Sequence, residues 1–127
     1  MTEAQYRAIR SGHRPPRPLL GKKTEDALAA QFDGAGIRYT REYRFLADRK
    51  FRLDFVLDAR RKLAVEVDGQ VHRIKGRFQS DREKMNLALF TGWRVLHVGP
   101  EQVRSGHALA LAEHLLDIPW KLATANF

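Results

Sequence analysis

The sequence predicts one α/β domain, a mixed four-stranded sheet flanked by helices in the order α-β-β-β-α-β-α. Three observations carry that expectation. Three short strand-like segments follow one another between residues 38 and 68, separated by polar turn residues, as in a meander. A stretch with helical signals then precedes a fourth strand, and such a crossover brings the fourth strand in parallel to a neighbour through a right-handed connection. Helical patterns flank the strands at both ends. At 127 residues the chain has the length of one domain with its own core.

Residues 1–23 are basic and carry Pro15, Pro16 and Pro18. They are expected to form an arm, with room for a short helix at Glu3 to Arg10, rather than core structure. The domain proper is placed at 24–117. Thr24 is an N-cap signal, Leu28 and Phe32 lie four apart on one helical face, and Gly34 and Gly36 supply the stop. Arg38 to Phe45 reads as the first strand, followed by the turn Ala47 to Lys50. Arg52 to Leu57 is the second, the turn Asp58 to Arg61 reverses the chain, and Leu63 to Asp68 is the third. The polar stretch through Lys75-Gly76-Arg77 is expected to be an unstructured mouth. Ser80 then caps a helix to Phe90, with Met85, Leu87 and Leu89 turned inward, and Gly92 ends it. Trp93 to Val98 is the fourth strand, with Trp93 in the core, and Gly99-Pro100 breaks it. Glu101 to Leu116 forms the last helix, with Leu109, Leu111, Leu115 and Leu116 as its apolar side. The tail 118–127 is hydrophobic for a terminus and is expected either to pack back on the domain or to meet a partner chain.

The formal charge is +8, and Arg10, Arg14, Arg17, Lys22 and Lys23 cluster in the arm. A polyanion is the expected partner. With no long apolar span and no signal-peptide core after Met1, nucleic acid is preferred to a membrane. The absence of cysteine excludes disulfides and thiolate zinc sites and fits a cytoplasmic setting.

Against that basic background stand Asp54, in Arg52-Leu53-Asp54-Phe55-Val56-Leu57, and Glu66 and Asp68, in Leu63-Ala64-Val65-Glu66-Val67-Asp68. Strand alternation puts Glu66 and Asp68 on one face, and the turn at Asp58 brings Asp54 beside them. Carboxyl groups so concentrated need protons or a divalent cation, and hard oxygen ligands suit Mg²⁺, with Mn²⁺ as a substitute. The structural alternative is ion pairing with Arg52 and Arg94. Glu25, in the first turn of a helix, also suits the helix dipole whatever else it does.

The element order, an acid near the start of the first helix, an Asp in strand two and Glu-x-Asp in strand three resemble the PD-(D/E)xK nuclease fold, the restriction-endonuclease-like core. Leu53-Asp54-Phe55, Val65-Glu66-Val67-Asp68-Gly69-Gln70-Val71-His72 and Gly92-Trp93-Arg94-Val95-Leu96 are similar in wording to very-short-patch-repair-like endonucleases. The small size, basic character and helix-one Glu resemble archaeal-type Holliday junction resolvases. The resemblance spans roughly residues 24 to 116. It implies that Asp54 and Glu66 are metal ligands, with Glu25 a further acid, and that the reaction is metal-assisted phosphodiester hydrolysis.

One departure from the motif follows. Asp68 stands where the motif has Lys; it offers a ligand for a second metal but no positive charge. Lys84 on the second helix is the first candidate for that cation, and His72 the second, as a general acid or phosphate contact. Arg73, Lys75 and Arg77, with Arg10, Arg14, Arg17, Lys22 and Lys23, are expected to bind DNA backbone. The expected function is a Mg²⁺-dependent DNA endonuclease resolving Holliday junctions in recombination and repair, cutting as a homodimer. A nicking or mismatch endonuclease, and a non-catalytic nucleic-acid-binding module, are the alternatives.

Overall fold

The structure, a computed structural model, describes residues 22–68 and 75–121, with side chains from Lys23 to Asp68 and from Asp81 to Lys121. Its elements are α1 (Lys22–Ala35), β1 (Thr40–Arg44), β2 (Arg52–Asp58), β3 (Leu63–Val67), α2 (Lys75–Phe90), β4 (Arg94–Val98), α3 (Pro100–Arg104) and α4 (His107–Asp117). The strands form one sheet in the order β1-β2-β3-β4. β1–β2 and β2–β3 are antiparallel and β3–β4 is parallel, so the meander and the helical crossover are both present. The fold is the mixed α/β sheet that the sequence predicts.

β3 is central, and all five of its residues are buried. One sheet face packs Phe55, Val65, Val67 and Val98 against Leu28, Ala29 and Phe32 of α1, Val103 of α3, and Ala108 and Ala112 of α4. Phe32 and Phe55 meet edge-on at 5.3 Å, and Tyr39 lies 5.7 Å from one ring and 5.5 Å from the other. The other face packs Leu53, Val56, Ala64 and Trp93 against Ala88 and Met85 of α2. Trp93, just before β4, is a core residue, as expected from the sequence. Each cluster removes large apolar side chains from water, which stabilises by about 1.5–3 kcal/mol per fully buried residue before entropy is charged against it.

Several local expectations are corrected. Thr24 is already inside α1 and buried, its packing overriding its capping preference. Gly34 is also helical, and the reversal comes at Gly36, whose φ of 72° suits glycine. β1 is shorter than Arg38 to Phe45, and β4 starts at Arg94. β3 ends at Val67, leaving Asp68 just beyond it. The Lys75 to Arg77 stretch is helical rather than unstructured, and Ser80 lies within α2 instead of capping it. Gly76 disfavours a helix by only about 1 kcal/mol, too little to outweigh continuation of the crossover helix.

Leu89 is not turned inward: it is 68% exposed, Phe90 beside it is 67% exposed, and Ala88 is the buried residue of that turn. The last helix is two helices. Gly106, at φ 81°, breaks it between Arg104 and His107, and α4 buries Ala108 and Ala112 more deeply than its leucines.

Past α4 the chain folds back on the domain. Arg61 donates to the carbonyls of Leu116 and Ile118 at 3.2 and 3.3 Å, Trp120 Nε1 donates to Leu115, and Arg94 stacks 4.4 Å over the Trp120 ring. Arg94 is therefore engaged by Trp120 and by the Arg61 carbonyl. No helix among the described residues is long and apolar enough to cross a membrane.

Candidate metal centre

The site begins where the β2–β3 ladder ends. Phe55 pairs with Val65, and continuing that register places Asp54 opposite Glu66. There the carboxylates replace backbone partners: Val67 N–H donates to Asp54 Oδ2 at 2.8 Å, and Asp54 N–H donates to Glu66 Oε1 at 3.3 Å. The two side chains thus satisfy amides that the diverging strands release, and this fixes both carboxyl groups.

On the other side of β2, the β1–β2 ladder pairs Arg41 with Phe55 and Tyr43 with Leu53 but skips the Glu42 and Asp54 pair between them. Glu42 has φ 54°, a left-handed backbone uncommon outside glycine. The irregularity turns the sheet locally. Leu53 and Phe55, two residues apart, pack in opposite cores, although simple alternation would put them on one face. Asp54 sits at this turn and so addresses both α1 and α2.

Toward α1, Glu25, Glu42 and Asp54 each offer a carboxylate oxygen, all within 4.8 Å of one another. Toward α2, Lys84 Nζ lies 2.5 Å from Glu66 Oε1, with only 15% and 9% of the two side chains exposed. Arg41 pairs with Glu25 at 3.3 Å and with Asp26 at 2.8 Å. Asp54 therefore joins two half-sites, one rich in carboxyl groups and one carrying an ammonium group.

The electrostatics follow from that crowding. Burial pushes Glu66 up to about 9, with the hydrogen bond and charge of Asp54 acting in the same direction and Lys84 opposing them. Burial, then Asp54 and Glu42, push Glu25 up to about 7 against the pull of Arg41. Protons therefore hold the place of missing positive charge at neutral pH. The donor set consists of hard oxygens with no thiolate and no imidazole, so the residues present fit Mg²⁺ or Mn²⁺.

Of the sequence-predicted residues, Asp54 meets Glu25 on one side and Glu66, with its partner Lys84, on the other. Asp68 does not join them. It is exposed, its N–H donates to the Val98 carbonyl, and its carboxylate lies 3.4 Å from His97 Nδ1. The strand ends one residue too early for alternation to carry Asp68 to Glu66's side. Lys23 is exposed near the start of α1. Lys22, Lys75 and Arg77 lie in helices, while Arg10, Arg14, Arg17, His72 and Arg73 lie outside the described residues.

Glu42 was missed. The signal was the hairpin register, in which the pairing of Arg41 with Phe55 and Tyr43 with Leu53 places Glu42 opposite Asp54. No protein-family model, curated protein or solved structure matches the chain.

Proposed function

We propose that the protein is a divalent-metal-dependent endonuclease acting on DNA, with the four-way junction as its first substrate. The observation that supports this reading most is the join at Asp54 between the carboxylate group of Glu25 and Glu42 and the buried Glu66–Lys84 pair. Two further carboxyl groups beside that pair add repulsion that a divalent ion would relieve. Arg94, one of the two arginines of the structural alternative, is engaged by Trp120 and by the Arg61 carbonyl.

Asp54, Glu25, Glu42 and Glu66 would hold the ion. When bound, a divalent ion supplies Lewis acidity for a phosphoryl oxygen and a water acidic enough to attack near neutral pH. The protein's own contribution is positional and electrostatic. Lys84 provides the positive charge that Asp68 cannot, directed at the same carboxylate from a helix instead of from the strand. Its ammonium group has donors beyond the Glu66 contact, suited to orienting a water or countering charge on phosphate. Glu66, whose burial beside Asp54 favours its protonated form, would release that proton to admit a cation.

The net charge of +8 and the basic arm favour a polyanionic substrate held by its backbone, within a cytoplasmic DNA-processing setting. Symmetrical cutting of a junction requires two copies related by a two-fold axis, so a homodimer is part of the proposal.

The test is Mg²⁺-dependent cleavage of a four-way junction, a duplex, a flap and a mismatch at matched salt, alongside Asp54→Asn. Junction-selective cutting that Asp54→Asn abolishes while DNA binding persists is the expected result. Equal cutting of all four substrates removes the junction assignment, and cutting by Asp54→Asn removes the mechanism. Gel filtration across concentrations tests the dimer.

A further inference from the structure

Arg41 stands beside the three-acid group with two commitments. Nη1 donates to Asp26 at 2.8 Å and Nη2 to Glu25 at 3.3 Å, and the guanidinium lies 5.4 Å from the Phe55 ring centroid. Its side chain is 31% exposed, against 14% for Glu25 and 54% for Asp26. The guanidinium is therefore held between the part-buried Glu25 and the exposed Asp26.

Glu25 is claimed twice. Its carboxylate belongs to the group with Glu42 and Asp54, and it is also Arg41's inner partner. A single carboxylate cannot serve a divalent ion and a guanidinium at full strength, since the two cations repel at contact distance. Of Arg41's two bonds, the one to Glu25 is the longer. Asp26 does not belong to the three-acid group, so its bond to Arg41 need not break when Glu25 changes partner. A guanidinium carries five N–H donors in a planar fork, so release from Glu25 would open an N–H edge without freeing the side chain.

We propose that Arg41 is a metal-gated phosphate clamp: it occupies Glu25 in the free protein, and when Glu25 turns to a divalent ion it presents the released N–H edge to the DNA phosphate at that site. This rests on the metal-dependent nuclease reading given above. Arg41 is then a positioning residue that couples two binding events. Without DNA its charge opposes the ion. With DNA present, the phosphate lies between the two cations and removes the opposition, so metal and DNA strengthen each other's binding reciprocally.

The experiment uses the full chain and two binding readouts. Mn²⁺ affinity of the DNA-free protein is measured by electron paramagnetic resonance, and four-way-junction affinity by fluorescence anisotropy in EDTA and in Ca²⁺. Arg41→Met is expected to bind Mn²⁺ about 3- to 10-fold more tightly than wild type, since a neighbouring cation is gone. Its gain in junction affinity on adding Ca²⁺ should shrink by roughly 10-fold, the loss of a charge-assisted contact. Arg41→Lys keeps the charge without the fork, and should leave Mn²⁺ affinity near wild type while still losing part of the Ca²⁺ gain. Asp26→Asn, which loosens the anchor without removing a member of the three-acid group, should also reduce the gain.

Weaker Mn²⁺ binding by Arg41→Met would show that Arg41 merely holds Glu25 in place as a ligand, and overturns the proposal. An unchanged Ca²⁺ gain in both Arg41 variants overturns it as well. Asp54→Asn separates the levels: if it binds Mn²⁺ as wild type does, the metal site itself fails, whereas loss of Mn²⁺ there with wild-type behaviour in the Arg41 variants sinks the clamp alone. Matched circular dichroism melts confirm that each variant is folded.

Discussion

Lys84 reaches Glu66 from across the sheet face, its Nζ 2.5 Å from Oε1, with α2 supplying the cation and β3 the carboxylate. The two residues are 18 apart in sequence and come together because α2 is the crossover that packs over β3 on its way to β4. Asp68, one residue beyond the end of β3, stands where the motif resembled in sequence has its lysine and faces His97 instead. A cation supplied by the helix keeps the charge at the site while freeing the strand position.

Lys84→Met should therefore leave the protein folded, bind Mn²⁺ at least as tightly as wild type because a neighbouring cation is gone, and slow single-turnover DNA cleavage by about 100-fold or more, the usual cost of losing one charge-stabilising donor. Lys84→Arg should recover only part of the rate, because the fork cannot occupy an ammonium's position. Wild-type cleavage by Lys84→Met would remove the residue from the chemistry.

The metal-free protein should lose stability as pH rises. Glu66 sits near 9 when folded, against its ordinary value of 4.5, so between those values the folded state binds more protons than the unfolded state. The stabilising contribution is complete below about 4.5 and fades progressively up to about 9. Glu25, raised to about 7, adds to the slope in the lower part of that window. Thermal melts in EDTA at pH 5, 7 and 9 should show a falling midpoint, on the order of 5 °C across the range. Glu66→Gln should flatten the slope. Mg²⁺ should restore stability most at the alkaline end, where no proton competes with it. A midpoint that rises with pH in EDTA would contradict the assigned direction.

The sheet was legible in the sequence because its information is local. Val65, Val67 and Phe55 announce strands by residue type, and the helical stretch between strands three and four imposes the parallel pair. Asp54 and Glu66 were legible as acids in otherwise apolar strands. The illegible parts depend on longer-range geometry. Glu42 becomes visible only through the hairpin register, Asp68 leaves the site because β3 ends one residue earlier than its composition suggests, and Gly106 interrupts an apolar pattern that runs from Val103 before it to Leu109 and Leu111 after it. Leu89 misled for a related reason: hydrophobicity marked it as core, while the small Ala88 is what the close approach of α2 to the sheet admits.

That reversal in α2 is measurable. Leu89→Glu should change stability by no more than about 0.5 kcal/mol, as at an ordinary surface position. Ala88→Leu, at a site 1% exposed and packed between α2 and the sheet, should destabilise by about 1–3 kcal/mol through overpacking. Urea midpoints for the two variants decide the matter, and a large loss from Leu89→Glu would place that residue in a core.

Glu42 combines an unfavourable backbone with a useful side chain, and substitutions can separate the two. At φ 54° a non-glycine residue is strained, and glycine removes that strain. Glu42→Gly should therefore hold or raise stability, by up to about 1 kcal/mol, while weakening Mn²⁺ binding at least about 10-fold through loss of one carboxylate of the group. Glu42→Gln keeps the backbone strain and removes only the charge, so it should lose Mn²⁺ affinity without the stability gain. Removing a neighbouring acid also lowers the Glu25 value from about 7, which shifts the pH dependence of the remaining Mn²⁺ binding toward acid in both variants. Urea titrations and Mn²⁺ binding curves across pH on the two proteins test these outcomes together. Unchanged Mn²⁺ affinity in both would leave Glu42 as a strained turn residue outside the metal centre.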